Sequence, residues 1–232
     1  MNRYKKVKEM VDMKQLIKKV KECKDFNEFI KKVIRHVYFK LLRAYTLWMD
    51  RRIGGKDLSG IIPSTYKELG AYATESTDYR ALKKLFKVAF PSDSDFIVDV
   101  GCGKGRVISY LLLRGFKGRI VGVDLDENIA GIARERLKNH ENVAILTGSI
   151  LDNMPKEATV FYLFNPFNST ILEQFVQKIE EEIDHDVKLL YAFAVHRNIF
   201  KDRPGWENLH SWSIERRYSR AWQNELYICH KK

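Results

Sequence analysis

The residues with the clearest chemistry lie between Asp95 and Leu125, in the stretch DFIVDVGCGKGRVISYLLLRGFKGRIVGVDL. An apolar run, Phe96-Ile97-Val98, reaches Asp99 and Val100 and predicts a buried parallel strand. Glycines follow at alternate positions, Gly101, Gly103 and Gly105, where a backbone without Cβ atoms turns sharply and lets a ligand approach. After Arg106 the run from Val107 to Leu113 reads as a helix whose N-terminus faces that ligand. A second apolar run, Ile120 to Val123, ends in Asp124, about twenty residues past the glycines, where a βαβ unit places a carboxylate on ribose hydroxyls. The spacing is G-x-G-x-G, not the G-x-G-x-x-G that seats a pyrophosphate. Asp99, just before the first glycine, would repel a pyrophosphate and suits a cofactor with a cationic amino-acid end.

On these residues the chain resembles the class I S-adenosylmethionine-dependent methyltransferases, whose first motif reads D-x-G-x-G-x-G. The match is Asp99-Val100-Gly101-Cys102-Gly103-Lys104-Gly105, and Asp124 matches the second motif, an acid ending strand two. The chain is also similar, over about residues 51–200, to a bacterial group of these enzymes of unassigned substrate. That group pairs an upstream Arg- and Gly-containing loop with a Y-x-x-L helix and a G-x-G-K-G-R loop; Gly103-Lys104-Gly105-Arg106 match the last element, and Gly54 to Gly60 match the first imperfectly. The resemblance implies a doubly wound, seven-stranded Rossmann-like sheet and an enzyme transferring a methyl group from S-adenosyl-L-methionine by in-line displacement. Asp124 is expected at the ribose. Asp99 is expected near the amino-acid end of the cofactor, with Gly101, Cys102, Gly103 and Gly105 contributing backbone and Arg106 and Leu125 flanking. In many members the stretch before the first strand folds over the cofactor, which makes Thr77 and Tyr79 candidates; the other reading is a cap and a core aromatic. The third strand ends beside the adenine, where Ser149 and Ile150 are expected, with Asp152 as the alternative.

The fourth predicted strand, Thr159 to Phe164, ends in Asn165-Pro166-Phe167-Asn168. Ligands bind at the carboxyl ends of parallel strands, so this is the expected transfer site. The amino-directed nucleic-acid enzymes of the family carry an Asn or Asp, two prolines and an aromatic there; this chain has one proline. The functional reading has the Asn165 side chain and Pro166 carbonyl accepting hydrogen bonds from a target amine, with Phe167 stacking nearby. The other reading is a turn that caps the next helix at Asn168 or Ser169. His196, after a fifth strand from Val187 to Ala194, is a candidate general base or a structural histidine.

The elements that must carry these residues fit 232 residues as one α/β domain with an appendage: a methyltransferase domain over 53–232 and a basic helical extension over 1–52. Of a net charge of +11, most sits in residues 1–52, with sixteen Lys/Arg against six Asp/Glu. Such asymmetry fits an anionic partner or a solvated lysine face. In the extension, 4–22 reads as an amphipathic helix. Asp25 and Glu28 read as a capping box for a helix of about 25 residues with one apolar face, which needs a packing partner. Thr77 or Asp78 caps a helix through Val88. Two antiparallel strands are expected at Ser211–Tyr218 and Glu225–His230, with Trp222 in the loop between them. Cys23, Cys102 and Cys229 are widely spaced, arguing against disulfides or zinc and for the cytoplasm, and Cys102 reads as packing. No run approaches the ~18 apolar residues of a transmembrane segment. The acceptor is left open between a protein amine, nucleic acid and a small molecule; a cofactor-binding interaction module is the non-catalytic alternative.

Overall fold

The computed structural model describes residues 26–53, 55–214 and 221–231. The predicted helix over 4–22 and Asp25 of the capping box lie outside them. Contacts divide the chain into two units, one ending at Thr46 and the other beginning at Leu47. Helix α1, Phe26–Arg52, runs from the first unit into the second. Its apolar positions Ile34, Val37 and Leu41 are exposed in the described chain. No described helix is long and apolar enough to cross a membrane.

The second unit holds a two-stranded ribbon, β1 (Ile61–Ile62) and β2 (Thr74–Glu75), and a seven-stranded sheet. The sheet strands are β3 (Ile97–Val100), β4 (Ile120–Asp124), β5 (Val143–Thr147), β6 (Val160–Phe164), β7 (Val187–Ala192), β8 (Trp206–Ile214) and β9 (Trp222–Cys229). Their order is β5-β4-β3-β6-β7-β9-β8, with β9 antiparallel to β7 and to β8 and every other pair parallel. Helices α2 (Tyr79–Val88), α3 (Arg106–Leu113), α4 (Glu127–Leu137) and α5 (Ser169–Glu182) connect them. The chain winds outward from β3 to β5 and then returns to β6. The topological switch therefore falls between β3 and β6, whose carboxyl ends carry the glycine loop and Asn165.

The central strands are apolar on both faces because both are covered. Along β6, Phe161 and Leu163 join one buried cluster with Phe175, Val176 and Ile179 of α5, while Val160 and Tyr162 join a second with Leu82 and Leu85 of α2 and Ile108 and Leu111 of α3. The helix starts are set by side chains: Asp78 accepts from the N–H groups of Arg80 and Ala81, Asp126 from Asn128 and Ile129, and Asn168 from Ile171. Gly118 sits where a Cβ would lie 2.5 Å from the Asp95 carbonyl oxygen, so the turn into β4 passes too close to β3 for any side chain.

Two expectations at the C-terminal edge need correction. Strand β8 begins at Trp206, not Ser211, and pairs with β9 through a bulge between Asn208 and His210. Trp222 is the first residue of β9, not a loop residue, because its ring packs edge-on to Phe164 at 4.8 Å and its backbone pairs with Ile214. Tyr218 lies outside the described residues. Strand β7 stops two residues early, since Phe193 takes a left-handed φ of 50°.

The end of α1 is locked into the second unit by a buried ion pair. Asp50, fully buried, receives Arg106 through Nε (3.0 Å) and Nη2 (2.8 Å), and also the Tyr79 hydroxyl (2.8 Å) and the Leu58 N–H (3.0 Å). Removing one partner of such a pair leaves an uncompensated buried charge. Asp50→Ala is expected to lower stability by about 3–5 kcal/mol, read as a lower denaturant midpoint, whereas a surface change such as Lys138→Ala stays within about 0.5 kcal/mol.

Candidate active site

At the end of β3, Asp99 is 2% exposed and its Oδ2 has no hydrogen-bond partner among the described residues. Burial, and then the charge of Asp124, push its carboxyl up to about 8. An orphaned carboxylate oxygen costs stability unless a ligand completes it. The chain then turns through Gly101, Gly103 and Gly105, all at positive φ. The Gly101 and Cys102 N–H groups both donate to the Val123 carbonyl, at 2.8 and 3.0 Å, which ties the loop to the end of β4. Close approach excludes a Cβ on Gly101, which would lie 2.7 Å from Pro166 Cβ, and crowds one on Gly103, which would lie 3.0 Å from Thr74 Cγ2.

Asp124 ends β4 and is nearly buried. Its Oδ2 accepts the Gly103 N–H (2.8 Å) and its Oδ1 accepts the Asp126 N–H (3.1 Å). Both oxygens are thereby aimed, with lone pairs left for hydroxyl donors. Burial raises its pKa, and the two backbone hydrogen bonds counter that shift.

These residues line one cavity of about 840 Å³, at the upper end of the ~300–1,000 Å³ typical of small-molecule sites. Of the residues singled out in the sequence, Thr77, Asp99, Gly101, Cys102, Gly103, Arg106, Asp124, Leu125, Ser149, Ile150, Asn165, Pro166 and Phe167 all line it. Asp152, the alternative at the adenine position, does not. Cys102 packs against Gly122, and burial holds its thiol protonated, so it contributes bulk and not a nucleophile.

Several placements differ from the expected roles. Tyr79 does not reach the cavity: its ring is buried and its hydroxyl is bound to Asp50. Gly105 faces Ala133 and Leu137 of α4, so its lack of a Cβ serves helix packing. Arg106 reaches the cavity wall, but its guanidinium is spent on Asp50 and on the Ser76 and Thr77 carbonyls, at 3.0 and 3.4 Å. The Pro166 carbonyl accepts the Tyr72 N–H at 3.0 Å. Phe167 is buried against Phe175 and is bridged through its backbone to Ala71, so it is not an open stacking surface. The His196 imidazole stands outside the lining, its Nε2 3.2 Å from the Tyr72 hydroxyl.

Asn165 is where the structure adds most. It adopts φ 42°, a left-handed conformation uncommon outside glycine, and its Oδ1 accepts the Tyr191 hydroxyl at 2.7 Å. That hydroxyl in turn accepts the His196 N–H at 3.3 Å. Apart from Thr77, the wall that runs from Ser64 to Thr77 escaped the sequence reading. It has no hydrophobic period, and only Tyr66, Gly70 and Tyr72 mark it. It is held against the end of β6 by the Asn168 N–H on the Gly70 carbonyl (2.9 Å) as well as by Tyr72. Phe193 at the end of β7 was likewise missed.

Residues 97–182 match a family model described as a methyltransferase domain. These residues, from the start of β3 to the end of α5, are similar to that methyltransferase domain. The solved structures similar in fold to this chain include an RNA methyltransferase from Salinibacter ruber in complex with S-adenosyl-L-homocysteine, at TM-score 0.50 and 18% identity over 68% of this chain and 95% of that one. The B. subtilis M1A22 tRNA methyltransferase TrmK has TM-score 0.54 and 11% identity over 65% of each chain. Among curated proteins, ribosomal RNA small subunit methyltransferase A from Prochlorococcus marinus is 27% identical over 106 residues, 43% of this chain and 38% of the relative. The enzyme of the same name from Thermotoga maritima is 29% identical over 105 residues, 44% of this chain and 37% of the relative. The chain thus matches less than two fifths of the length of these relatives.

The glycine loop has a measurable pH signature. The folded protein keeps the Asp99 proton up to about 8, whereas an ordinary aspartate releases it near 3.8. Between those values the folded state binds the extra proton, so this group makes stability fall as pH rises through the window and level off above it. Thermal unfolding of the free protein from pH 5 to about 8 should show that decline, and Asp99→Asn should remove this component of it. An identical pH slope in the variant would mean Asp99 ionises normally.

Proposed function

We propose that this chain binds S-adenosylmethionine and passes its methyl group by in-line displacement to an amine nitrogen. The observation that carries the reading is the unpartnered Asp99 Oδ2, buried beside the glycine loop in a cavity that continues past Asp124 to Asn165. A cationic amino-acid end would favour the ionised form of Asp99 and complete its Oδ2, a contact that a pyrophosphate, with no donor to offer, does not make. Asp124 accepts the ribose hydroxyls through its free lone pairs, and the Ser149–Ile150 turn borders the adenine. The bound cofactor supplies an already electrophilic methyl group. The chain's own part is orientation and exclusion of water. Asn165, with one Oδ1 lone pair held by Tyr191, offers the other to an incoming N–H and so aligns the nitrogen lone pair.

RNA is the acceptor class supported by the names of the curated relatives and by the charge of residues 1–52, which as a basic extension would meet phosphates. The widely spaced cysteines, with Cys102 and Cys229 both free, support a cytoplasmic setting.

Calorimetric titration should give micromolar binding of S-adenosylmethionine and S-adenosylhomocysteine and none of NAD; NAD binding alone would overturn the reading. Asp124→Ala should weaken S-adenosylhomocysteine at least about tenfold, the loss of charge-assisted hydrogen bonds to the ribose. Cofactor binding without methyl transfer to any component of a cell extract would favour a non-catalytic binding module. For the RNA reading, replacing exposed Lys31 and Lys40 by Gln should make single-stranded RNA binding weaker and less steeply salt-dependent. An unchanged salt slope counts against phosphate contacts from this helix.

A further inference from the structure

We infer that the acceptor end of the cavity takes a planar nitrogen heterocycle bearing an amino group, stacked on Phe193 and Tyr72, in preference to an alkyl amine. The inference rests on the methyltransferase reading above and names its acceptor class.

Phe167, the aromatic of the Asn-Pro-Phe turn, is in the core, so any flat acceptor must find its platform elsewhere. Of the other aromatics that line the cavity, Phe193 at 36% and Tyr72 at 43% are the most exposed to solvent. Neither is a loose surface side chain. The Phe193 ring is stacked on Phe164 at 6.0 Å and rests on Trp222 at 5.9 Å, and its N–H is held by Asn224 Oδ1 at 3.2 Å. It does so at φ 50°, a conformation rare for a bulky residue and concentrated at ligand clamps. Tyr72 is fixed through its N–H on the Pro166 carbonyl, its hydroxyl on His196, and a stacked imidazole with centroids 6.4 Å apart. Rigid, exposed aromatic faces in a cavity are suited to stacking on planar rings.

Asn165 adds edge recognition. With Oδ1 held in one direction by Tyr191, the amide presents a second Oδ1 lone pair and its Nδ2 hydrogens as an adjacent acceptor and donor. That pair matches an amino group next to a ring nitrogen, which presents a donor and an acceptor side by side.

The chemistry argues the same way. An alkyl amine is protonated near neutral pH, with a pKa of about 10.4 for lysine, and must lose a proton before it has a lone pair to attack with. The lining contributed by the ends of β6 and β7, namely Phe164, Asn165, Pro166, Phe167, Asn168 and Phe193, holds no carboxylate and no imidazole beside Asn165; the carboxylates that line the cavity outside the cofactor end are Glu68 and Glu75, in the wall that carries Tyr72. An amino group on a heterocycle is neutral already. Its nitrogen forms the new N–C bond as the C–S bond breaks, the sulfur keeps the electron pair, and the surplus N–H proton passes to water.

The test uses the full chain saturated with S-adenosylhomocysteine, so that adenosine cannot enter the cofactor end. Calorimetry establishes saturation first; failure to bind there sinks the methyltransferase reading and not the shape of the acceptor end. The probes are 2-aminopyridine, adenosine and cyclohexylamine, followed by ligand-observed NMR. The two heterocycles should bind, with cyclohexylamine at least about tenfold weaker. Phe193→Ala should weaken the heterocycles about tenfold, the scale of one lost stacking face, while S-adenosylhomocysteine affinity stays within about twofold. Phe193→Tyr should retain them. If Phe193→Ala melts early, Tyr72→Ala gives the same readout. A single-stranded RNA arm separates sources: tighter binding than adenosine marks a nucleic-acid acceptor, equal or weaker binding a free heterocycle. Cyclohexylamine binding as well as the heterocycles, no heterocycle binding, or heterocycle affinity unchanged in both Ala variants overturns the inference.

Discussion

The arrangement depends on the pairing of Asp50 with Arg106. Arg106 opens the helix that follows the glycine loop, so its position sets where the loop amides point, and its Nη1 also grips the Ser76 and Thr77 carbonyls in the cavity wall. Asp50 reaches it from the last turn of α1 and binds the Leu58 N–H and the Tyr79 hydroxyl as well. Arg136 from α4 closes the set, donating to the Asp50 and Lys56 carbonyls and to Ser109 Oγ. Dehydrating these charges is costly, and an apolar substitute could supply equal stability. What apolar packing could not supply is direction: each bond fixes one segment of backbone relative to the others. Lys104 extends the set to the Ser59 and Gly60 carbonyls, so the charged residues of the G-x-G-K-G-R loop brace the site from behind.

The glycine loop, its flanking acids and the order of strands and helices were legible because each is a local pattern. Strand β3 is an unbroken apolar run, Asp99 and Asp124 end strands, and Gly101 and Gly103 stand where neighbours leave no room for a Cβ. The wall from Ser64 to Ser76 was not legible, since short irregular segments that fold back on a distant turn carry no period. The pairing of Ala71 with Phe167 spans almost a hundred residues of sequence and leaves no local trace. Trp222 was misplaced for a related reason: aromatic residues in a basic, polar stretch read as loop until the strand they pair with is known.

The aromatic positions show how tertiary context reassigns residue types. Phe167 follows Asn165-Pro166 as a stacking residue would, yet the antiparallel bridge turns it inward, and Phe193, unremarkable in sequence, holds the open face. Tyr79, which the sequence offers as a cofactor contact or as a core aromatic, is part of the Asp50 network, where burial and Asp50 raise its pKa. Residue type restricted the options in each case, and the neighbouring backbone chose among them.

The contact between Gly101 and Pro166 has a consequence for how such a domain can diversify. The first turn of the glycine loop touches the turn after β6 through the Pro166 ring alone, at the seam where β3 and β6 are themselves hydrogen-bonded. The two ends of the cavity therefore share one rigid floor. The rim, around residues 69–73 and at Phe193, shapes what enters, while the spacing between the two ends is set by that floor. A lineage built on this floor can exchange one guest for another without having to rediscover the reach between donor and recipient.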